Sequence, residues 1–244
     1  MTTGMYANRN KGVTLVELIA AISIASIVAG AIGALVIFCV RMYSNQSMIT
    51  LVQKEVQTSL NQIVDSAESA SWFYLNNETD GSGNVVRTKA VAFGKIVKSD
   101  SDSDSKYYYV GELFVAGDED SSGRFNVYMN RYAEGVMQLA GSDKASYAAS
   151  AREKLSEAAA GIVGREEYLI GEDASKFIVK IDESCLNTTD STFSNPISFD
   201  INVGYARQAF GGKLVEKEAE DQAMLRNSVK YNIYVGSVSY SLKE

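Results

Sequence analysis

The sequence predicts an α+β protein in which one long N-terminal helix leads into a head built on an antiparallel β-sheet. Three observations favour this fold class. An uncharged, mostly apolar run of 23 residues extends from Leu18 to Val40. Several short segments of alternating apolar and polar residues follow, separated by turn-forming residues. An alanine-rich segment between residues 142 and 163 predicts a second helix inserted into the strand series.

Composition excludes several functional classes. The chain has 244 residues, 46% of them hydrophobic and 22% charged, which is typical of a globular protein. It contains no histidine, which excludes histidine-based triads, histidine general bases and histidine metal ligands. The net charge of −7 argues against a nucleic-acid-binding domain, which would need a basic surface.

The apolar run is long enough to cross a membrane. A helix of this length spans about 35 Å, compared with a hydrocarbon core of about 30 Å. Arg9 and Lys11 precede the run, and Arg41 follows it directly. The run is longer than the apolar core of a secretory signal peptide, and a signal peptide would have a small-residue cleavage site after that core. The basic leader predicts a cytoplasmic N-terminus, with the rest of the chain on the other side of the membrane.

Glu17 is unusual because it lies at the start of this apolar segment. A carboxylate at the centre of a bilayer costs about 2.5–3.5 kcal/mol, and less near the interface. Two explanations fit the position. Glu17 has a charged partner that requires it, or it only caps the N-terminus of the helix, where the helix dipole contributes about 0.3–1 kcal/mol.

The segment from Lys11 to Ile19, with the sequence KGVTLVELI, resembles the processing site of type IV pilins and pseudopilins. The resemblance implies that a prepilin peptidase/methyltransferase cleaves between Gly12 and Val13 and methylates the new N-terminus at Val13. Glu17 then becomes the fifth residue of the mature chain. Val13 departs from the phenylalanine that is common at this position in the family.

Cleavage would give Glu17 a partner. It converts the Val13 amide nitrogen into a charged amine, and the amine of a neighbouring subunit is the expected partner of the carboxylate. Two unit charges 4 Å apart attract by about 4 kcal/mol at an effective dielectric constant of 20. Removing one member of a buried pair costs about 3–5 kcal/mol.

We expect three segments along the chain. Residues 1–12 form a cytoplasmic leader that is removed, and residues 13–43 form a transmembrane helix that becomes the filament core. Residues 44–244 form the extracytoplasmic head, which includes an amphipathic continuation of the helix at 44–75. The apolar stripe of that continuation consists of Val52, Val56, Ile63 and Ala67, with Leu60 and Ile49 close to it.

The head is predicted to contain strands, one helix and polar connections. An antiparallel meander is expected from strands at 85–97, 106–116 and 125–132, with a hairpin turn at 117–123, and further strands are expected at 177–181, 197–205 and 229–240. A helix is expected at 142–163, capped by Ser142 or Asp143 and ended by Gly164. Turns or loops are expected at 76–84 and 184–195, and a short helix or an ordered loop at 213–226.

The apolar run contains small residues that bear on the packing and on the local stability of the helix. Ala21, Ala25, Ala29 and Gly33 are spaced four residues apart, which allows close approach of helices but is also common in any membrane helix. No proline kinks the run, and Gly30 and Gly33 are expected to weaken the helix locally, by about 1 kcal/mol each relative to alanine.

No catalytic, metal or cofactor site is expected. The chain has no GxSxG, P-loop, HExxH or GxGxxG motif. Two acidic segments, Asp100–Asp104 and Asp118–Gly123, resemble the opening of a calcium loop but lack its closing glutamate, so solvated turns are the preferred interpretation. Cys39 and Cys185 fall in different predicted segments, which predicts that they do not form a disulfide.

These features predict a structural protein rather than an enzyme: a filament subunit processed at its N-terminus. Removal of the leader leaves 232 residues, which favours a minor pilin of a type IV pilus. A minor pseudopilin of a type II secretion or competence system is the alternative, and a single-span membrane-anchored binding module is a further one. The expected partners are the processing enzyme, other pilin subunits and, before assembly, membrane lipid.

The expected location follows from the same reasoning. The chain is predicted to be a single-pass protein of the bacterial cytoplasmic membrane with its head outside, and later part of an extracellular or periplasmic filament. The sequence leaves open which process the filament serves and which ligand, if any, it binds.

Overall fold

The computed structural model describes residues 13–99, 106–194, 196–225, 233–235 and 238–243. The chain divides into two compact units, with the boundary between Ser47 and Met48. The first unit contains the N-terminal part of a long helix. The second unit, the head, contains the rest of that helix, the sheet and a second helix.

The first helix, α1, extends over 55 residues from Leu15 to Ser69. It ends six residues before the predicted limit of 75, and this part of the prediction is wrong. The Ser71 amide donates a hydrogen bond to the Gly94 carbonyl at 2.9 Å, and Trp72 pairs with Gly94. Pairing with the neighbouring strand and full burial of Trp72 and Phe73 therefore override the helical pattern.

In the described part of the chain, eleven strands and one further α-helix follow. They are β1 (Trp72–Thr79), β2 (Val85–Ser99), β3 (Lys106–Ala116), β4 (Phe125–Leu139), α2 (Lys144–Ile162), β5 (Leu169–Ile181), β6 (Leu186–Asn187), β7 (Thr192–Phe193), β8 (Ile197–Gln208), β9 (Leu214–Leu225), β10 (Ile233–Val235) and β11 (Val238–Leu242). Within the described residues the strands form one sheet in the order β6-β7-β11-β10-β1-β2-β3-β4-β5-β8-β9.

The predicted antiparallel meander is confirmed. The strands β2, β3 and β4 pair in sequence order, and the turn between β3 and β4 is closed by a hydrogen bond from the Asp120 amide to the Arg124 carbonyl, 2.7 Å long. The sheet is antiparallel except where β1 pairs with β10 and β7 pairs with β11. This arrangement is the predicted α+β fold class.

The region between residues 213 and 226 corrects the prediction, because it forms the edge strand β9 instead of a helix or loop. Its alanine and alternating charges suit a helix locally, but it pairs with β8 from Leu214 opposite Gln208 to Leu225 opposite Ile197. An exposed edge strand rich in charge resists pairing with other chains, which explains its polar sequence.

Three further segments differ from the sequence prediction. Where one strand was expected at 229–240, the described residues form two strands, β10 and β11, which pair antiparallel with each other. In the region 76–84, β1 continues to Thr79 and the turn is confined to residues 80–84. In the region 184–195, the short strands β6 and β7 replace part of the predicted loop. Strand β1 pairs with the next strand, β2, as far as Thr79 opposite Val85. Strands β6 and β7 pair with each other, and β7 also pairs with the distant strand β11.

The predicted helix between β4 and β5 is confirmed as α2. The Asp143 side chain accepts a hydrogen bond from the Ser146 amide at 2.8 Å, and the Ser146 hydroxyl accepts one from the Asp143 amide at 3.0 Å. Gly164 follows the helix with a φ of +81°, a conformation that glycine adopts readily. This helix packs on β3 and β4, where Tyr147 stacks on Tyr107 with ring centroids 4.1 Å apart.

The core of the head lies between the sheet and the part of α1 after Met48. All four residues of the predicted apolar stripe are buried there, and so is Leu60, which was expected close to it. Phe199 of β8 packs edge-on against Phe73 and Phe93 of β1 and β2, with centroid distances of 4.9 and 5.2 Å. Strand β8 therefore packs onto strands that are distant from it in the sheet order.

Candidate assembly site at the start of the long helix

Glu17 and Thr14 form a capping box at the start of α1. The Glu17 Oε2 atom accepts hydrogen bonds from the Thr14 amide at 2.9 Å and from the Thr14 hydroxyl at 3.0 Å. The Glu17 amide donates in return to the Thr14 hydroxyl at 3.3 Å. This reciprocal arrangement satisfies backbone groups that would otherwise lack partners at a helix start.

The capping box occupies only one oxygen of the carboxylate. Both hydrogen bonds to the Glu17 side chain reach Oε2, so among the described residues Oε1 remains open to another donor. Capping and pairing with a second charged group are therefore compatible. The two explanations of Glu17 that the sequence left open do not exclude each other.

The apolar part of α1 has no packing partner within the described chain. Every residue from Val13 to Tyr43 is exposed, and this part of the helix is apolar and long enough to cross a membrane. The hydroxyls of Ser23 and Ser26 donate to the carbonyls of Ile19 and Ile22 in the same helix, at 2.9 and 2.8 Å. The hydroxyls of these two serines are therefore satisfied without water.

The structure locates only part of the predicted processing site. Val13 precedes the helix, is not helical and is exposed. Arg9, Lys11 and Gly12 lie outside the described residues, so the predicted cleavage between Gly12 and Val13 remains a prediction. Gly30 and Gly33, which were expected to weaken the helix, lie in an uninterrupted helical segment.

A family model for the prokaryotic N-terminal methylation motif matches residues 7–33. The matched stretch contains Gly12, Val13 and Glu17 together with the first half of the apolar run. The chain carries the type IV pilin and pseudopilin signature. Neither the curated proteins nor the solved structures include a match to this chain.

The pilin signature and the structure agree on the N-terminal helix. In the matched segment the helix begins directly after Thr14 and runs on without a break, and its apolar surface is exposed. The motif is typical of structural subunits that are anchored in a membrane, processed and assembled with other pilins. The head, residues 48–244, lies outside the matched segment, so the family model describes no part of it.

Polar contacts between α1 and the sheet were not anticipated from the sequence. The Ser59 hydroxyl lies 2.9 Å from the Tyr205 hydroxyl, and both side chains are buried. The Ser66 hydroxyl donates to the Glu112 carboxylate, which also accepts hydrogen bonds from Arg131. Each contact joins the helix to a different strand, since Tyr205 belongs to β8 and Glu112 to β3.

An ion-pair cluster adds a third polar connection. Arg207 Nη2 lies 2.7 Å from Glu55 Oε1 on the helix and 3.3 Å from Glu172 Oε2 on β5. Burial raises the pKa of the Glu55 carboxyl, and the charge of Arg207 opposes part of that increase. Burial also raises the pKa of Tyr205 to about 12, so its hydroxyl remains protonated at neutral pH.

A sequence signal for two of these contacts existed. Ser59 and Ser66 follow Val52 at intervals of seven residues and therefore lie on the buried stripe of the helix. Small polar residues on a buried face indicate hydrogen-bonding partners across the interface. The identity of the partners was not predictable, because Glu112 and Tyr205 are far away in the sequence.

The acidic turn between β3 and β4 uses its own carboxylate internally. Asp120 Oδ1 accepts hydrogen bonds from the amides of Ser122 and Arg124 at 2.7 and 3.0 Å and from the Ser122 hydroxyl at 2.6 Å. These hydrogen bonds lower the pKa of Asp120. The other calcium-like segment, Asp100–Asp104, lies outside the described residues.

The described residues contain no group of three or more acidic or cysteine side chains placed to hold a metal ion. Both cysteines are free: Cys39 is exposed on the apolar part of α1, and Cys185 is half-buried in the head.

Proposed function

We propose that this protein is a minor pilin of a type IV pilus. Prepilin peptidase hydrolyses the bond between Gly12 and Val13 and methylates the new amine, and the mature chain then enters a helical filament through its N-terminal helix. The single observation that carries the proposal is an exposed carboxylate, Glu17, at the start of an exposed apolar helix within a matched methylation motif.

The chemistry of cleavage supports the role of Glu17. Hydrolysis leaves a carboxylate on Gly12, which departs with the leader, and an amine on Val13. The Glu17 Oε1 atom is available to accept a hydrogen bond from such an amine on a neighbouring subunit, while Oε2 remains engaged with Thr14. In an apolar filament core, both charges would be costly unless they pair.

The architecture of the head supports a minor subunit. After removal of 12 residues the mature chain has 232 residues, and its head carries a helix, α2, between two strands of an eleven-stranded sheet. Such a head is larger than we expect for the subunit that forms most of a filament. A minor pseudopilin of a type II secretion or competence system is the alternative.

Intact-mass analysis of the protein from its native host tests the processing step. We expect a chain that begins at Val13 and carries the additional mass of one methyl group. A functional protein that still begins at Met1 would contradict the proposal and support a membrane-anchored binding module instead.

Substitution of Glu17 tests the assembly step. Glu17→Ala should still insert and be cleaved, but its incorporation into filaments should fall at least about tenfold, because the amine of the neighbour loses its partner. Ser26→Ala, which removes a hydroxyl bonded only within its own helix, is the matched control and should assemble normally.

The variant Glu17→Gln separates charge pairing from capping. The amide oxygen of glutamine can still accept from Thr14 but carries no charge. We expect Glu17→Gln to assemble as poorly as Glu17→Ala. Normal assembly of Glu17→Gln would show that Glu17 serves only as a cap and would overturn the proposed pairing.

A further inference from the structure

A cleft of about 560 Å³ opens in the head beside the last two turns of α1. Asp65 and Ser69 of the helix line one wall, and Lys95, Val110 and Arg131 of the sheet line the other. A cleft of this volume is large enough for a small molecule or for the end of a peptide. We call it the α1-end cleft, and all of these residues belong to the head.

The strand register places two cations of the cleft on one face of the sheet. Phe93, Glu112 and Arg131 lie directly opposite one another on β2, β3 and β4, and opposite residues share a face. Lys95 follows Phe93 by two residues, so its side chain is on that face as well. Glu112 bonds to Ser66 of α1, so this is the face that carries the helix.

A buried carboxylate fixes the guanidinium group of Arg131. The Glu112 side chain is only 10% exposed; its Oε2 atom accepts from the Ser66 hydroxyl, and its Oε1 atom accepts from Arg131 Nη2 and, at 2.7 Å, from Arg131 Nε. The Arg131 side chain is 73% exposed, and its Nη1 group has no hydrogen-bond partner within the described chain. Ser66 and Glu112 are therefore positioning residues, which hold an exposed cation with a free donor in one orientation.

The helix wall of the cleft carries the opposite charge. Asp65 and Lys95 are both exposed, and neither forms an ion pair with a described residue. The end of α1 adds partial negative charge, because the last carbonyls of a helix point towards its C-terminus. Free cations on one wall and a free carboxylate on the other favour a ligand that carries both charges.

A bulge in β4 borders the cleft on the side of Arg131. Strand β4 carries residues 133–136 at the position where β3 has only Val110. Ala133 lines the cleft, and Gly135 has a φ of +89°. Bulges are frequent next to functional sites, where they redirect side chains. Strand β4 therefore departs from regular pairing with β3 where it borders the cleft.

We propose that the α1-end cleft binds the C-terminal end of a peptide that ends in lysine. The terminal carboxylate pairs with Lys95 and with the free donor of Arg131, which lie on strands about 10 Å apart and approach it from two sides. The ε-ammonium group pairs with Asp65, and the methylene stem between the two charges packs on Val110. The proposal does not depend on cleavage of the leader or on filament assembly.

A free amino acid suits the cleft less well than a peptide end. In free lysine the α-ammonium group lies next to the carboxylate, so it would be repelled by Lys95 and Arg131. In a peptide the same nitrogen belongs to a neutral amide. N-acetyl-lysine therefore reproduces the proposed ligand, whereas free lysine does not.

Calorimetric titration of the detergent-solubilised full chain tests the proposal with four compounds. N-acetyl-lysine carries both charges, N-acetyl-lysinamide lacks the carboxylate, N-acetylnorleucine lacks the ammonium group, and free lysine adds the α-ammonium group. We expect N-acetyl-lysine to bind at least about tenfold more tightly than each of the other three. Equal affinity for all four compounds, tighter binding of free lysine, or no binding of N-acetyl-lysine at millimolar concentration would overturn the proposal.

Two variants separate the contributions of the two walls. Asp65→Asn should weaken the binding of N-acetyl-lysine about tenfold and leave that of N-acetylnorleucine unchanged. Lys95→Gln should also weaken the binding of N-acetyl-lysine about tenfold, but it should leave that of N-acetyl-lysinamide unchanged. Both residues are exposed and have no ion pair within the described chain, so the variants should fold normally.

The chain offers a matched control for each variant. Glu68 is an exposed acid on the same helix as Asp65 and does not line the cleft. Lys98 is an exposed lysine on the same strand as Lys95, but it lies three residues farther on and therefore on the other face of β2. Glu68→Gln and Lys98→Gln should bind N-acetyl-lysine like wild type. Unchanged affinity in Asp65→Asn or Lys95→Gln, or an equal loss in its control, would contradict the proposed pairing.

Discussion

The two parts of α1 have the same secondary structure and opposite surroundings. From Val13 to Tyr43 every side chain is exposed, whereas after Met48 a regular stripe of the helix is buried against the sheet. Their serines differ in the same way. Ser23 and Ser26 bond only to carbonyls of their own helix, but Ser59 and Ser66 reach side chains of the sheet.

The two parts of the helix differ in what stabilises them. The head part is specified by partners within its own chain, including polar ones that fix its position. The N-terminal part is self-sufficient in hydrogen bonding and presents an apolar surface, which suits lipid or other helices of the same kind. A subunit that moves from a membrane into a filament needs a surface that can contact lipid first and other helices later.

The largest expected difference between the two parts concerns apolar packing. Ile63→Ala in the head part should lower the free energy of unfolding of the head by about 2–5 kcal/mol, because Ile63 is fully buried and its truncation leaves a cavity. Ile32→Ala is the matched control, since Ile32 is 57% exposed. Denaturation of the detergent-solubilised chain, followed by Trp72 fluorescence, measures both, and equal effects would contradict the comparison.

A smaller difference is expected for the serines. Ser66→Ala removes one hydrogen bond to the buried carboxylate of Glu112 and should destabilise the head by about 1–3 kcal/mol. Ser26→Ala should change the stability of the head by less than about 0.5 kcal/mol. The same denaturation experiment compares them, and a neutral Ser66→Ala would show that Arg131 alone satisfies Glu112.

The smallest expected effect depends on pH. Because burial raises the pKa of Glu55 in the folded state, the folded chain binds more protons than the unfolded chain between the ordinary pKa, 4.5, and the raised one. The stability contributed by this carboxyl is therefore greatest below the ordinary value and decreases as the pH rises through the raised pKa.

Comparison of wild type with Glu55→Gln measures this contribution. The stability of wild type relative to the variant should be greater at pH 4 than at pH 7, by at most about 1 kcal/mol for this partly exposed pair. Lys54→Gln, an exposed neighbour on the same helix, is the control for a general change in charge. A difference that grows towards neutral pH would contradict the assigned direction.

The local elements of the head were largely predictable. The β2–β4 meander and α2 follow from alternation, turn residues and capping residues, since Asp143 and Gly164 act where the sequence places them. The strand β9 and the early end of α1 were not predictable. Both depend on pairing with another strand, β8 in the first case and β2 in the second, and local propensity opposes that pairing.

The sequence by itself determined the apolar helix, the position of Glu17 at its start and the motif that resembles a pilin processing site. These features depend on residue order alone, because a helix in an apolar environment satisfies its hydrogen bonds locally. Only the tertiary structure decided that Ser59 bonds to Tyr205 and that Ser66 bonds to Glu112. Those relations arise from strand pairing and packing between distant segments, which no local pattern encodes.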